Sequence, residues 1–196
     1  MNARTNIEHL QPPITRHRFT VEEFHKLGEA GILHEDSRVE LIEGELIQMS
    51  PIGTPHASAV DTLAEQLIAK LAGRAIVRVQ NPVALGDNSE PEPDIVIAKS
   101  QPDRYRKSHP RPAEILLIIE VADTTLEYDR KVKLPLYAEH GIAEAWLVDL
   151  TQKQLEIHQQ PSPDGYRQIL KPARDALVAP AFAADVHIDL AQLFAE

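Results

Sequence analysis

The stretch that decides the fold is Ile115–Val121, which reads ILLIIEV. A nearly uninterrupted aliphatic run of this length is typical of a central strand that is covered on both faces. Glu120 is its one charge, and charged side chains are seldom fully buried unless they are paired or bind a metal. Because no cation stands beside Glu120 in the sequence, we expect another part of the chain to supply its partner.

A second carboxylate, Asp94, opens another apolar strand directly after Pro93. If the two strands are neighbours, Asp94 and Glu120 could hold one hard cation between them. Mg²⁺ suits such a pair because it takes oxygen ligands and is commonly bound by one or two carboxylates plus substrate phosphate. Taken alone, Asp94 is equally consistent with an ordinary residue at the start of a strand.

The remaining patterns predict a single α/β domain with a mixed sheet flanked by helices. Residues 1–19 are polar and lack periodicity, so we expect a flexible arm followed by a domain over 20–196. Predicted helices cover 20–28, 54–73, 127–139 and 190–195, predicted strands cover 75–83, 94–98, 115–121 and 143–150, and predicted hairpins cover 38–49 and 153–171. Pro135 predicts a kink in the third helix or a late start to it.

Composition limits the possible functions. The chain has 196 residues, no cysteine and a formal net charge of -10, which excludes disulfides and thiolate ligands. The first 20 residues lack the apolar core of a signal peptide, and no stretch is apolar enough to span a membrane, so we expect a cytoplasmic protein. The negative charge argues against tight non-specific DNA binding, although a metal site built from carboxylates is itself acidic.

Several blocks of sequence together resemble a known family. They are VELIEGELIQMSPIGTPHASAV, EPDIVI, LLIIEVAD, YDRKVKLPLYAEHGI and AEAWLVDL, in this order between about residues 19 and 160. They are similar to the bacterial Uma-two family of the PD-(D/E)XK restriction-endonuclease-like superfamily. The resemblance implies a restriction-endonuclease-like fold, phosphodiester hydrolysis with Mg²⁺ or Mn²⁺ held by Asp94 and Glu120, DNA as the partner, and a possible homodimer.

The sequence departs from the superfamily formula two positions after Glu120, where Ala122 replaces the expected lysine. Uma-two-like sequences usually take this lysine from the following helix, and the matching residue is Lys133. Its predicted role is to orient the attacking water or to neutralise the phosphate. The alternatives are that Lys133 is a solvated helix residue, or that Lys131 supplies the amine, although Glu127 offers Lys131 an ordinary surface pairing.

The resemblance also draws in Glu40 and His56 as site residues that orient the metal ligands or a bound water. Both have simpler alternatives: Glu40 could be an outward hairpin residue, and His56 could serve only the helix terminus. Helical spacing aligns His56 with Val60 and Leu63, which places it toward the sheet.

One dense basic cluster lies between the two acidic motifs and could follow a phosphate backbone, although a solvated loop is the favoured interpretation. Its members are Arg104, Tyr105, Arg106, Lys107, His109 and Arg111. No nucleotide-binding glycine loop, zinc motif or serine-hydrolase elbow is present in the sequence. Three hypotheses stay open: a DNA endonuclease, a hydrolase of another phosphoester such as RNA, and a non-catalytic binding module that retains the nuclease fold.

Overall fold

A computed structural model describes residues 15–195 and is built around a six-stranded sheet with the order β3-β4-β5-β6-β7-β8. Its strands are β3 (Ala75–Val79), β4 (Ile95–Lys99), β5 (Ile115–Ala122), β6 (Glu144–Asp149), β7 (Gln154–Ser162) and β8 (Gly165–Leu170). Neighbouring strands are antiparallel except for the parallel pair β5 and β6. The predicted mixed sheet and the central position of the ILLIIEV strand are confirmed.

Two layers of helix cover the sheet. On one face, α2 (Thr54–Leu71) and α5 (Leu190–Leu193) pack over the odd-numbered side chains of β4 and β5, such as Ile97 and Ile119. On the other face, the helix that follows β5 packs over the even-numbered ones, such as Val96 and Ile118. Because side chains alternate along a strand, Glu120 lies on the second face.

The helix after β5 is continuous but changes its winding. It comprises α3 (Leu126–Tyr128), a π-helical turn (Asp129–Lys133) and α4 (Leu134–Glu139). The amide of Leu134 donates to the carbonyl of Asp129, one residue further back than in an α-helix. The predicted helix is confirmed, and the perturbation expected from Pro135 takes the form of a wide turn that ends beside this donor-less residue.

The first predicted hairpin is confirmed as β1 (Val39–Ile42) and β2 (Glu45–Gln48). Its two-residue turn has positive φ at both Glu43 (48°) and Gly44 (78°), as a type I′ turn requires. The hairpin forms its own two-stranded sheet and joins the rest of the domain through a bridge between Leu41 and Glu90. This attachment sets the position of Glu40.

Other predicted boundaries shift by a few residues. The strand expected over 75–83 ends at Val79 because Gln80 takes a positive φ of 49°. Gly53, not Thr54, caps α2, so Thr54 is the first helical residue. The terminal helix ends at Leu193.

The other elements agree with the sequence patterns. The capping box of Thr20 and Glu23 opens α1 (Val21–Glu29), and the second hairpin is β7 with β8. A small sheet pairs β9 (Leu177–Val178) with β10 (Ile188–Asp189).

Residues 1–14 of the predicted arm lie outside the described residues. Close to its end, Phe19 donates to the carbonyl of Gly44. The flexible arm therefore stays a prediction.

Gly44 allows a test of how closely the chain packs on the hairpin turn. A Cβ at Gly44 would lie 2.7 Å from the Arg18 Cβ, whereas a Cβ at Gly73, which has almost the same φ of +77°, would meet nothing within 4 Å. We expect Gly73→Ala to lower the free energy of unfolding by about 1–2 kcal/mol through the left-handed backbone alone. Gly44→Ala should cost about 1–3 kcal/mol more because of the clash. Equal losses in urea denaturation would contradict this packing.

Candidate metal and catalytic centre

The two predicted carboxylates meet across neighbouring strands. In the antiparallel pair of β4 and β5, Ile95 is opposite Ile119. One further step of this register brings Asp94 opposite Glu120. Residues directly opposite each other in such a pair have Cβ atoms about 4.5–5.5 Å apart and lie on the same face of the sheet. This register therefore places the two carboxylates on the same face of neighbouring chain segments, and their shared role stays a prediction.

Asp94 is held by two contacts, one on each oxygen. Its Oδ1 lies 3.1 Å from Nε2 of His56, and its Oδ2 accepts a hydrogen bond from the amide of Val121 at 2.8 Å. The contact with Asp94 raises the pKa of His56 above its ordinary value despite burial, so the imidazole is stabilised as a cation. His56 stands in the first turn of α2, and its side chain reaches the sheet as its helical spacing indicated.

Lys133 lies between two buried carboxylates. Its Nζ is 3.2 Å from Oε2 of Glu40 and 3.3 Å from Oε1 of Glu120, and only 7% of its side chain is exposed. The hydroxyl of Tyr137, one turn further along the helix, donates to the same Oε1 of Glu120. Glu40 also accepts a hydrogen bond from the amide of Glu92 at 3.1 Å. The interpretations of Lys133 as a solvated residue and of Glu40 as an outward residue were therefore wrong.

Lys131 is placed differently. Its side chain is 73% exposed and pairs with Glu127 at 2.5 Å, as the sequence spacing suggested. Of the two candidate lysines, Lys133 is the one that contacts Glu120.

The cluster holds more acidic than basic groups. Glu40, Glu120 and Asp129 surround Lys133, and burial raises the pKa of Glu120 well above its ordinary value despite the attraction of Lys133. Burial likewise raises the pKa of Asp129 to about 6, although Lys133 and the hydroxyl of Thr125 oppose the shift. Conversely, these carboxylates outweigh burial and raise the pKa of Lys133, which keeps it charged. A further positive charge would stabilise the ionised carboxylates.

Asp94 and Glu120 are the two carboxylates that the site offers to a magnesium-like ion, and both oxygens of Asp94 already have one contact each. Within residues 15–195, the contacts of Glu120 use only Oε1, which leaves Oε2 available as a ligand. No group of three or more His, Asp or Glu side chains in the described part of the chain is arranged to hold a metal. A cation between Asp94 and Glu120 would therefore keep several water or substrate ligands, as Mg²⁺ and Mn²⁺ do.

The basic cluster lies away from this centre. Residues 100–111 join the end of β4 at Lys99 to the start of β5, whereas Asp94 and Glu120 stand at the other ends of these strands. Five residues of strand span about 17 Å. Tyr105 is buried and donates its hydroxyl to the carbonyl of Lys99, while Arg104 and Lys107 are exposed. This arrangement favours the interpretation of a solvated loop.

Comparison with known families agrees with this geometry. The family model described as "Putative restriction endonuclease" matches residues 21–191, which is most of the chain. The chain belongs to the Uma-two family. This membership places it among nuclease-like proteins of the restriction-endonuclease type.

A solved structure shares the fold of this Uma-two protein. A crystal structure described as a "putative nuclease" from Anabaena variabilis aligns with a TM-score of 0.70 and 20% identity, covering 90% of this chain and 97% of that one. The type IIG restriction endonuclease BpuSI aligns with a TM-score of 0.43 and 17% identity over 74% of this chain and 17% of its own. Among curated proteins, none matches this sequence. No helix within residues 15–195 is long and apolar enough to cross a membrane.

Sequence reasoning missed other residues of this Uma-two site. Arg38, Glu92 and Tyr128 line the same cavity of about 430 Å³ as Asp94, Glu120 and Lys133. Asp129 and Tyr137 each lie four residues from Lys133, a spacing that predicts a shared helix face. Tyr128 does not belong to this series, and the sequence gives no other signal for it. No sequence pattern predicts Arg38 as a site residue, because the packing of the β1-β2 hairpin places it at the cavity.

Asp129 provides a pH-dependent test of the cluster. Its pKa of about 6 in the folded state exceeds the ordinary value of about 4, so this group stabilises the fold least when it is ionised. The contribution of Asp129 to the free energy of unfolding is fully present below about pH 4 and is lost as the pH rises through about 6. We expect Asp129→Asn to raise the free energy of unfolding by about 1–3 kcal/mol at pH 8 and to change it little at pH 4, in buffer with a chelator.

Chemical denaturation at the two pH values measures this effect. The exposed Asp61→Asn variant on α2 is the control and should change stability equally little at both. A loss of stability at pH 8 in Asp129→Asn would contradict the assignment.

Proposed function

We propose that this Uma-two protein is a divalent-metal-dependent endonuclease that hydrolyses phosphodiester bonds in DNA. The observation that carries the proposal is the convergence of Asp94, Glu120 and Lys133 on one open cavity. Asp94 and Glu120 would hold Mg²⁺ or Mn²⁺. The cation would stabilise the charge that builds on the phosphate and lower the pKa of a bound water.

Neighbouring side chains and one backbone amide would position the charged groups of the site. His56 and the amide of Val121 fix the two oxygens of Asp94, and Tyr137 fixes one oxygen of Glu120. These contacts fix the orientation of both carboxylates, and ligands positioned by neighbouring hydrogen bonds need not reorganise during the reaction. Glu40 would act through Lys133, because its contacts are to Nζ of that residue and to the amide of Glu92.

Lys133 would supply the amine that Ala122 cannot. Its ammonium remains protonated between Glu40 and Glu120, so it can donate a hydrogen bond to a phosphate oxygen or to the attacking water. The sequence departs from the superfamily formula at Ala122, but the amine of Lys133 reaches Glu120 from the adjacent helix.

A non-catalytic binding module is the second candidate. The observations that favour it are the net charge of -10 and the position of the basic cluster at the far ends of β4 and β5. Such a protein would keep the fold and the buried ion pairs without turning over a substrate. The homodimer and the choice of DNA over RNA stay predictions.

The carboxylates are tested by cleavage of supercoiled plasmid DNA, with single-stranded RNA assayed in parallel. We expect cleavage with Mg²⁺ or Mn²⁺, none with a chelator, and a loss of about 10³-fold or more in Asp94→Asn and Glu120→Gln. Circular dichroism and thermal melting show that the variants are folded. Cleavage that survives both substitutions would contradict the metal site, and folded wild-type protein that cleaves neither substrate would favour the binding module.

The two lysines form a matched pair for the second test. Lys133→Met should lower the cleavage rate about 10²- to 10³-fold, whereas Lys131→Met, two residues away and exposed, should leave it within a factor of two. Lys133→Arg keeps the charge and serves as a better-folded second variant, with a smaller loss of rate. Equal rates for Lys133→Met and Lys131→Met would contradict the role of Lys133.

A further inference from the structure

The guanidinium of Arg38, at the edge of the candidate centre, makes no hydrogen bond within residues 15–195, although its charge attracts the carboxylate of Glu92. Its Nε is buried and has no hydrogen-bond partner, and Arg38 forms no ion pair with any described residue. It nevertheless lines the same cavity as Asp94, Glu120 and Lys133. By contrast, Lys133 already contacts two carboxylates and His56 already contacts Asp94. Lys133 therefore has at most one N–H donor left for a ligand, whereas Arg38 makes no side-chain hydrogen bond to any described residue.

Two more unsatisfied atoms lie around the same cavity. Within the described residues, five buried side-chain polar atoms lack a hydrogen-bond partner, and three of them line this cavity: Nε of Arg38, Nδ1 of His56 and the hydroxyl of Tyr128. Most buried polar groups in folded proteins are satisfied. Their concentration here indicates that a polar ligand completes the cavity.

The backbone of Arg38 is held in an unfavourable conformation. Its φ of 45° and ψ of 62° are in the left-handed region, which residues with a Cβ seldom adopt. Its carbonyl accepts hydrogen bonds from the amide of Met49 at 2.8 Å and from Nε2 of Gln48 at 3.1 Å. The end of the β1-β2 hairpin therefore holds Arg38 at the cavity wall, and strained residues of this kind cluster at ligand sites.

The charges of the cavity restrict where an anion could bind. Six carboxylates line the wall: Glu40, Glu92, Asp94, Glu120, Asp123 and Asp129. They would repel a phosphodiester except beside a fixed cation with free donors. An arginine is always charged, and its planar fork matches the oxygens of a phosphate. Arg38 also lines a second cavity of about 790 Å³, which shares Glu40 and Glu92 with the first.

We propose that Arg38 binds a backbone phosphate of the nucleic acid and positions the strand at the edge of the catalytic cavity. Each contact would be from the guanidinium to non-bridging oxygens, so it would not depend on base sequence. The inference rests on the proposed function, because it assumes that nucleic acid occupies the first cavity.

The test is binding of a fluorescent duplex oligonucleotide, measured by anisotropy with Mg²⁺ in a Lys133→Met background that slows turnover. Circular dichroism checks that this background is folded, and Lys133→Arg replaces it if it is not. We expect Arg38→Gln to weaken binding about tenfold and to lower the slope of log affinity against log salt by about one. Arg38→Lys should keep the slope and recover part of the affinity. Lys107→Gln, which removes an exposed cation at the other ends of β4 and β5, should change neither quantity beyond a factor of two.

A methylphosphonate scan separates direct contact from general electrostatics. Neutralising one particular phosphate should weaken binding to the Lys133→Met protein but not to the protein that also carries Arg38→Gln. The inference is overturned if Arg38→Gln binds normally, if Lys107→Gln has the same effect, or if no single phosphate shows this dependence. If wild-type protein cleaves DNA in the same buffer, any of these results contradicts only the role of Arg38. If the protein neither binds nor cleaves nucleic acid, the proposed function is contradicted as well.

Discussion

The buried ammonium of Lys133 connects three parts of the chain that are far apart in sequence. It contacts Glu40 on the β1-β2 hairpin and Glu120 on the central strand, while it belongs itself to the crossover helix. Removing one partner of a buried ion pair costs about 3–5 kcal/mol because it leaves an uncompensated charge. The hairpin, which is not hydrogen-bonded into the main sheet, is thereby tied to the strand that carries Glu120.

The π-helical turn explains how the helix can supply this amine. Pro135 cannot donate a backbone hydrogen bond, and the turn before it is widened to an i to i-5 pattern. Asp129, Lys133 and Tyr137 nevertheless all face the buried side of the helix, against β5. Such turns are frequent at functional sites. In this chain the helix after β5 places the ammonium of Lys133 and the hydroxyl of Tyr137 against Glu120, with the carboxylate of Asp129 nearby.

The sequence predicted the sheet and singled out Glu120 because both depend on local patterns, whereas Asp94 became persuasive only through the family resemblance. The aliphatic run of β5 required a central strand, and the charge within it required a partner. Glu40 and His56 came from family resemblance, and their contacts could not be predicted, since they depend on how the hairpin and α2 pack on the sheet. Arg38 and Tyr128 gave no local signal at all. Their positions follow from tertiary packing that periodicity does not encode.

The central claim is that Asp94 and Glu120 bind one divalent cation. Anomalous diffraction from crystals soaked in Mn²⁺ measures this most directly, because it locates the ion independently of activity. We expect a single strong peak between the two carboxylates, with Lys133 beside it but not bound to it, and no such peak in crystals of Asp94→Asn. A fully ordered cavity without a peak at millimolar Mn²⁺, or a peak elsewhere that survives Asp94→Asn, would contradict it.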